Sequence, residues 1–259
     1  MSDRPRTALV TGASRREAIG AAICRALAAD GFDIAFTHWR AYDRDEGSGL
    51  DPGGPGVIQA EIEALGRRAI ALEVDLGEPA APECLLDWVD TGLGNLAVVV
   101  NNAAYSTRDL LDALDAASLD AHYAVNFRAT ALLTSGFARR WPGGQGGRVI
   151  NLTSGQSLGP MPDELAYVAS KGAIEAFTLS ASPSLARIGI TINAVDPGPT
   201  DSGWMSDDFK RELAPRFPLG RIGKPEDVAR LVAFLASEAG GWITGQVIHS
   251  EGGFIRDRG

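Results

Sequence analysis

The chain has 259 residues, 45% hydrophobic and 22% charged, with a mean hydropathy of −0.02 and a formal net charge of −9. That length buries a sizeable core in one large or two small domains, and the composition excludes disordered and fibrous chains. The acidic balance speaks against a nucleic-acid binder, which usually shows a basic face, and no apolar run approaches the roughly 20 residues of a membrane span.

Strand-length apolar runs follow one another along the chain: TALVTG (7–12), DIAFTHW (33–39), AIALEVD (69–75), LAVVVNN (96–102), GRVINLTS (147–154), GITINAVDPG (189–198) and GQVIHSEGG (245–253). They are mostly continuous rather than alternating, as suits parallel strands covered on both faces. Between them lie stretches of helical period, such as AIGAAICRALAADG, stopped by Gly31, and GVIQAEIEALGRR, ending near Gly66. Strand and helix alternating about six times predict a single-domain α/β fold of the Rossmann type. It is a doubly wound sheet of about seven parallel strands with helices on both faces. No linker splits the chain, so 1–259 is read as one domain, with cofactor binding in about 1–150 and catalysis and substrate binding in about 151–259.

Two segments break the rhythm. Residues 40–56 form a Gly/Pro/Asp-rich loop, read as a surface excursion. Residues 199–224 carry Trp204, Met205, Phe209 and Phe217 and follow the sixth strand, where ligands bind in such sheets. The start, MSDRPRTALVTG, enters a strand with no signal-peptide core. Cys24 and Cys84 are too few for a disulfide framework, so a cytoplasmic protein is expected. Cys24 reads as core. His38, His122 and His249 are scattered, and no Cys/His cluster has ligand spacing, so no metal is expected.

Two motifs carry chemistry. The first strand runs into TGASRREAIG and a helix, a turn that brings backbone N–H groups and a helix N-terminus to a pyrophosphate. The spacing is not the usual dinucleotide fingerprint, and Ala18 stands where a glycine would help. The second motif is sharper. Tyr167 and Lys171, in ELAYVASKGAIEAF, lie four apart on one helix face. With four tyrosines and three lysines in 259 residues, such a pair arises by chance in about one chain in twenty. A phenol is a poor acid or base near neutrality, and a neighbouring ammonium lowers its pKa, which makes Tyr167 a usable proton donor and acceptor.

With these residues the whole chain resembles the short-chain dehydrogenase/reductase family, in particular oxidoreductases of the beta-ketoacyl-carrier-protein-reductase type. Gly12, Ser14 and Arg15 with Ile19 and Gly20 match its cofactor loop, with two residues inserted. Asp75 and Leu76 match the site that meets adenine. Asn101, Asn102, Ala103 and Ala104 stand for its NNAG, with Ala104 in place of Gly. Asn126, and Ser154 thirteen residues before Tyr167, match catalytic positions. Pro197, Gly198 and Thr200 match the loop that faces the nicotinamide. The resemblance implies that Tyr167 protonates a carbonyl oxygen held by Ser154. It implies also that Lys171 binds the nicotinamide ribose, while Asn126 holds a water that connects Lys171 to solvent. Each has a duller reading: Asn126 as the satisfier of a helix kink, Ser154 as a strand-end cap, and Asp75 with Glu78 as an N-cap and capping box.

NADP(H) is expected over NAD(H). His38 stands at the end of the second strand, where an acid would select NAD, and Trp39 follows it. Arg15, Arg16 and Arg40 are positioned to converge on a 2′-phosphate. Against this, Asp43, Asp45 and Glu46 can fold back with opposite charge. The expected activity is hydride transfer between nicotinamide and a ketone or secondary alcohol, with a 3-oxoacyl or similar apolar carbonyl as substrate. The alternatives are an enoyl reductase, against which the Tyr-x-x-x-Lys spacing speaks, and a catalytically silent NADP sensor. The resemblance also implies a homo-oligomer, a tetramer above all. It would be built from helices beginning near Asp109 and Asp163 and from a final strand through Trp242–Phe254.

Overall fold

The seven apolar runs become seven parallel strands in the computed structural model, which describes residues 6–45 and 49–256. They are β1 (Thr7–Val10), β2 (Asp33–His38), β3 (Ala69–Glu73), β4 (Leu96–Asn101), β5 (Gly147–Leu152), β6 (Ile190–Asp196) and β7 (Val247–His249). Their order across the sheet is β3-β2-β1-β4-β5-β6-β7. The chain therefore reverses direction between β1 and β4, and a crevice opens beyond their C-terminal ends.

Continuous apolar strands follow from the two-residue period of the pleat. Ala8, Val10, Ile34, Phe36, Val98 and Val100 feed one core, shared with Ile23, Leu27 and Val232. The residues between them, Leu9 and Ala35, feed a second core with Leu85, Leu86 and Leu133. Val99, Val149, Ile190 and Ile192 feed a third around Phe137. Cys24 is fully buried in the first core. Truncating a side chain there, Phe36 for example, should cost about 3–5 kcal/mol.

The helices are α1 (Ile19–Ala29), α2 (Arg40–Asp45), α3 (Gly54–Ala64), α4 (Ala81–Gly92), α5 (Ala116–His122), α6 (Ala129–Arg140), α7 (Leu165–Ala186), α8 (Asp207–Leu213) and α9 (Pro225–Ala236). A π-helical stretch, Tyr123–Arg128, joins α5 to α6. Glycines end α1 and α3 as expected: Gly31 and Gly66 have φ of +91° and +75°.

Several expectations are corrected. The 40–56 segment is not one loop, since α2 forms at its start and α3 begins at Gly54 with Pro55 in its first turn. No helix begins at Asp109. Its Oδ2 instead accepts the Ala166 N–H at 2.7 Å, capping α7 from outside, while α5 begins at Ala116 on an Asp115 cap. The final strand is only Val247–His249, and Trp242 lies in the turn before it. The proposed capping box at Asp75 does not form. Asp75 accepts from Gly77 N–H at 2.7 Å, and α4 starts six residues later.

The 199–224 segment folds over its own small core. Met205, Leu213 and Phe217 are buried there against Phe209, Ile222 and Phe254. Ser206 caps α8 by accepting the Phe209 N–H.

Candidate active site

The glycine turn comes first. Gly12 has φ of +75°, and a Cβ there would lie 2.6 Å from Ala103 Cα. A Cβ on Gly20 would lie 2.4 Å from the Gly12 oxygen. Only glycine allows the turn, α1 and the segment after β4 to meet this closely. Asn102 locks the contact, its Nδ2 donating to the oxygens of Thr11 and Gly12 at 2.8 and 2.9 Å. Ala18 takes the extended N-cap position at φ −86°, which alanine adopts without strain, and offers no side-chain acceptor to α1. The N–H groups that open α1 therefore have no capping side chain. Ala104 has no positive φ either, so its replacement of glycine costs no strain.

Beside this turn lies a cleft of about 260 Å³. Gly12, Ser14, Arg15, Ile19 and Gly20 line it from β1 and α1, and His38 and Trp39 from the end of β2. Leu76, Asn102, Ala103 and Ala104 line it from the segments after β3 and β4. His38 Nδ1 is buried without a hydrogen-bond partner, and burial pulls its imidazolium below the usual range. An unpaired polar atom, an uncapped helix N-terminus and a turn open only to glycine together fit a dinucleotide.

The arginines divide. Arg15 lines the cleft, donating to the Ser202 oxygen at 3.2 Å, with Nε 3.9 Å from Asp43. Arg16 is drawn away by Asp51 into a two-pronged, exposed ion pair. Arg40 is exposed, and its backbone N–H donates to Glu73. The expected convergence of three guanidinium groups is thus not formed: Asp43 and Asp51 of the 40–56 segment compete for Arg15 and Arg16, and Arg40 stands outside the cleft. Asp43 does fold back. It is buried, and burial raises its pKa despite the Ser14 hydroxyl and Arg15 beside it. Asp45 pairs with Arg44 outside, and Glu46 lies outside the described residues.

The second group sits where β5 meets α7. Ser154 is extended at the strand end (φ −149°), and Tyr167 and Lys171 occupy the first two turns of α7. The Ser154 hydroxyl lies beside the Tyr167 phenol, and its Oγ donates to Met161 Sδ at 4.0 Å. Burial, and then the charge of Glu164, pushes the phenol above its ordinary range, and the neighbouring Ser154 hydroxyl offsets only part of this. Lys171 is 2% exposed, and burial pulls its ammonium down to about 8. Its Nζ donates to the Leu152 oxygen at 2.8 Å and lies 5.5 Å from the centroid of the Tyr167 ring. The expected lowering of the phenol by this ammonium is therefore corrected. The charge is directed at a carbonyl and passes the ring face, and desolvation governs the phenol.

Asn126 lies in the π-helical stretch and is fully buried. Its Oδ1 accepts from Tyr105 N–H at 2.7 Å, and its Nδ2 donates to the Tyr105 oxygen and to Ser170 Oγ, each at 2.9 Å. That is how a residue satisfies a helix irregularity. His122, on the adjoining turn, stacks edge-on between the rings of Tyr105 and Tyr167.

Pro197, Gly198 and Thr200 form the turn after β6. Gly198 has φ of +60°, and the Thr200 hydroxyl donates within the turn. Sequence reasoning missed Tyr42, Tyr105 and Ser202 in the cleft wall. It also missed that the β6–β7 register sets Asp196 beside His249. These two and Glu251 bring one ligand-type atom each within 4.8 Å of the others, with the Arg256 guanidinium against the two carboxylates.

The comparisons agree with this geometry. Residues 12–255 match a family model described as enoyl-(acyl carrier protein) reductase. The chain is 52% identical over 251 residues to an uncharacterized oxidoreductase of Bacillus subtilis, YjdA, covering 96% of each. It is 32% identical over 253 residues to the 3-oxoacyl-[acyl-carrier-protein] reductase FabG of Staphylococcus aureus, covering 96% of this chain and 97% of that one. A blue fluorescent protein from a metagenomic library, solved in complex with NADPH, is 33% identical with a TM-score of 0.86 and coverage of 98% and 99%. The glycine turn, the sheet order and the Ser–Tyr–Lys group agree with these likenesses, and the chain belongs to the short-chain dehydrogenase/reductase family of oxidoreductases.

Proposed function

We propose that the chain is an NADP(H)-dependent carbonyl reductase. Its substrate would be a ketone with a sizeable apolar part, of the 3-oxoacyl kind. The observation that carries this reading is the Ser154–Tyr167 hydroxyl pair with Lys171 one turn further along α7. When bound, the nicotinamide would supply a hydride to the carbonyl carbon. As charge grows on the carbonyl oxygen, the Ser154 hydroxyl holds it and Tyr167 delivers its proton. A phenol held above its ordinary range is protonated at neutral pH, so it is loaded as a donor for reduction. Lys171 would bind the nicotinamide-ribose hydroxyls. Gly12, Gly20 and the α1 N-terminus would take the pyrophosphate, and Leu76 would face the adenine with Asp75 beside it. Arg15 would meet the 2′-phosphate, with His38 and Trp39 around the ribose. The Pro197–Thr200 turn would face the nicotinamide. In this reading Asn126 acts by holding the π-helical turn against Ser170, three residues from Tyr167.

The description of the matching family model favours an enoyl reductase as a second reading. The three-residue gap between Tyr167 and Lys171 weighs against it. Oxidation of NADPH against a panel of 3-oxoacyl thioesters, cyclic ketones and enoyl thioesters decides between them. Turnover of ketones alone supports the proposal, and turnover of enoyl substrates alone overturns it. Binding of NADPH without turnover of any leaves the protein a sensor.

The same reading makes 1–259 one domain and the protein a cytoplasmic homotetramer. Among the described residues no helix is long and apolar enough to cross a membrane. Trp242 is 98% exposed and Leu179 64%, apolar surface of the kind that subunit contacts cover. Light scattering should report about four chain masses, and a 27.2 kDa particle at micromolar concentration overturns the assembly.

A further inference from the structure

The segment after β7 crosses the back of the catalytic group. Phe254 packs on Phe217 with ring centroids 5.0 Å apart, and Ile255 N–H donates to the Arg216 oxygen at 2.9 Å, so the segment is tied to the 199–224 lobe. Glu251 lies under the turn after β6, where a Cβ on Gly198 would meet its Cβ at 2.9 Å. Arg256 then reaches back beneath the residues that follow Ser154. Its Nη1 donates to Glu251 Oε2 at 2.8 Å, and its Nη2 contacts Glu251 and lies 3.9 Å from Asp196 Oδ2. Asp196 is fixed in turn by His249 Nδ1 at 2.9 Å and by Gly198 N–H at 2.9 Å. Its side chain is 1% exposed and that of Glu251 8%, so the guanidinium is bound where water competes little.

The consequence is written in two glycines. A Cβ on Gly155 would stand 1.9 Å from Arg256 Nη2 and 2.8 Å from Cζ, and a Cβ on Gly159 would stand 2.9 Å from Arg256 Cδ. Neither glycine has a positive φ, so backbone conformation is not what demands glycine at these positions. The arginine occupies the space that a side chain would take. We propose that Arg256 is a positioning residue for Ser154, its guanidinium being the surface on which the turn beginning at Gly155 rests. Because the same segment holds the 199–224 lobe and the Gly198 turn, it ties the placement of the serine hydroxyl to the seating of that lobe. This inference rests on the reading of Ser154 as the group that holds the carbonyl oxygen.

A double-mutant cycle between Gly155→Ala and Arg256→Lys tests it. Lysine keeps the positive charge beside Asp196 and Glu251 but lacks the forked end that abuts Gly155. Gly155→Ala alone should lower kcat for a ketone by about tenfold to a hundredfold through misplacement of the serine, with the Kd for NADPH held within about twofold. On the Arg256→Lys background the same alanine should cost several times less, and melting temperatures of the cofactor-free proteins should show coupling of the same sign. If Gly155→Ala does not fold, Gly159→Ala takes its place with Arg256→Ala as its partner in the cycle, because its Cβ meets Arg256 Cδ, which lysine keeps and alanine lacks. Additive effects in both readouts overturn the inference, and coupling in melting temperature without coupling in kcat reduces Arg256 to a structural brace. Ser154→Ala is run alongside. If it retains near-normal turnover, the role of Ser154 fails and the positioning role with it. If it is inactive while the cycle is additive, only the role of Arg256 fails.

Discussion

The two ends of the cleft are assembled from different kinds of parts. Ser154, Tyr167 and Lys171 stand on the end of β5 and the first turns of α7, a helix that packs along β6. Lys171 donates to a backbone carbonyl, Ser154 to Met161 Sδ, and burial dominates the acidities of Tyr167 and Lys171. At the other end, Arg15 and Asp43 come from a lengthened turn and from α2, and their partners are each other, Ser14 and Ser202. Chemistry that needs a proton at one fixed atom is built on regular elements, where rotamers are held by packing. On the proposed reading, recognition of a phosphate rests on charged side chains whose ion pairs can be exchanged for the ligand.

The sharpest way to break this contrast is at Tyr167. Tyr167→Phe should lower kcat by about 10²–10⁴ while leaving the Kd for NADPH nearly unchanged, since the ring and the glycine turn remain. Fluorescence titration with NADPH beside steady-state rates checks both halves. A Phe variant with near-normal turnover would show that the buried hydroxyl pair is only structural.

How far each end was legible in the sequence follows from the same difference. Helical period alone puts Tyr167 and Lys171 on one face, and they lie on one face. The apolar runs became strands with their ends trimmed: β1 stops before Thr11 and Gly12, β5 before Thr153 and Ser154, and β7 before Ser250. Spacing does not report where a side chain points. Lys171 turns to Leu152 and not to the phenol, and the clustering of Asp196 with His249 appears only through the β6–β7 register. In the 40–56 segment the composition suggested a loop, whereas Asp43 is buried and α2 forms around it. There the outcome depends on which acid captures which arginine, a tertiary competition that no local pattern encodes.

At the phosphate end the largest effect should come from Arg15→Ala. A charge-assisted contact of this kind is worth about 1.5–3 kcal/mol, so kcat/KM with NADPH should fall roughly tenfold to a hundredfold. The value with NADH should change little. Arg16→Ala and Arg40→Ala should have small effects, because Asp51 holds the first and the second stands outside the cleft. An Arg16 or Arg40 variant that loses NADPH preference while Arg15→Ala keeps it would overturn the division of the arginines.

Lys171 gives the catalytic end a signature in pH. Its ammonium is pulled down to about 8 in the folded protein, from 10.5 in a free side chain. Between these values the unfolded chain binds the extra proton, so stability rises with pH across that window. Relative to a Lys171→Met variant, which has no such group, the cofactor-free protein should gain about 1–2 kcal/mol between pH 7 and pH 9.5. Urea unfolding at several pH values measures it. A constant difference would mean that the buried ammonium keeps its ordinary acidity.

The smallest effect, and the one that separates ion-pair exchange from rigid recognition, is expected at Asp43. In the cofactor-free protein its carboxylate sits beside Arg15 and the Ser14 hydroxyl, inside the cleft that would receive the 2′-phosphate. A phosphate entering there must take Arg15 from Asp43 and tolerate the negative charge that remains. Asp43→Asn keeps a polar side chain beside Ser14, removes that charge and leaves Arg15 with only the Ser202 oxygen. NADPH should then bind a few-fold more tightly, with NADH nearly unaffected, because Arg15 and Asp43, 3.9 Å apart in the cleft wall and beyond hydrogen-bond reach, are coupled by only about 1 kcal/mol. The pH dependence has a matching sign. Burial raises the pKa of Asp43, so lowering the pH neutralises it earlier than an ordinary aspartate and strengthens NADPH binding, while the Asn variant loses this component. Isothermal titration of both proteins with both cofactors at two pH values reads all of this. Weaker NADPH binding by Asp43→Asn would show that the carboxylate orients Arg15 toward the phosphate and does not compete for it.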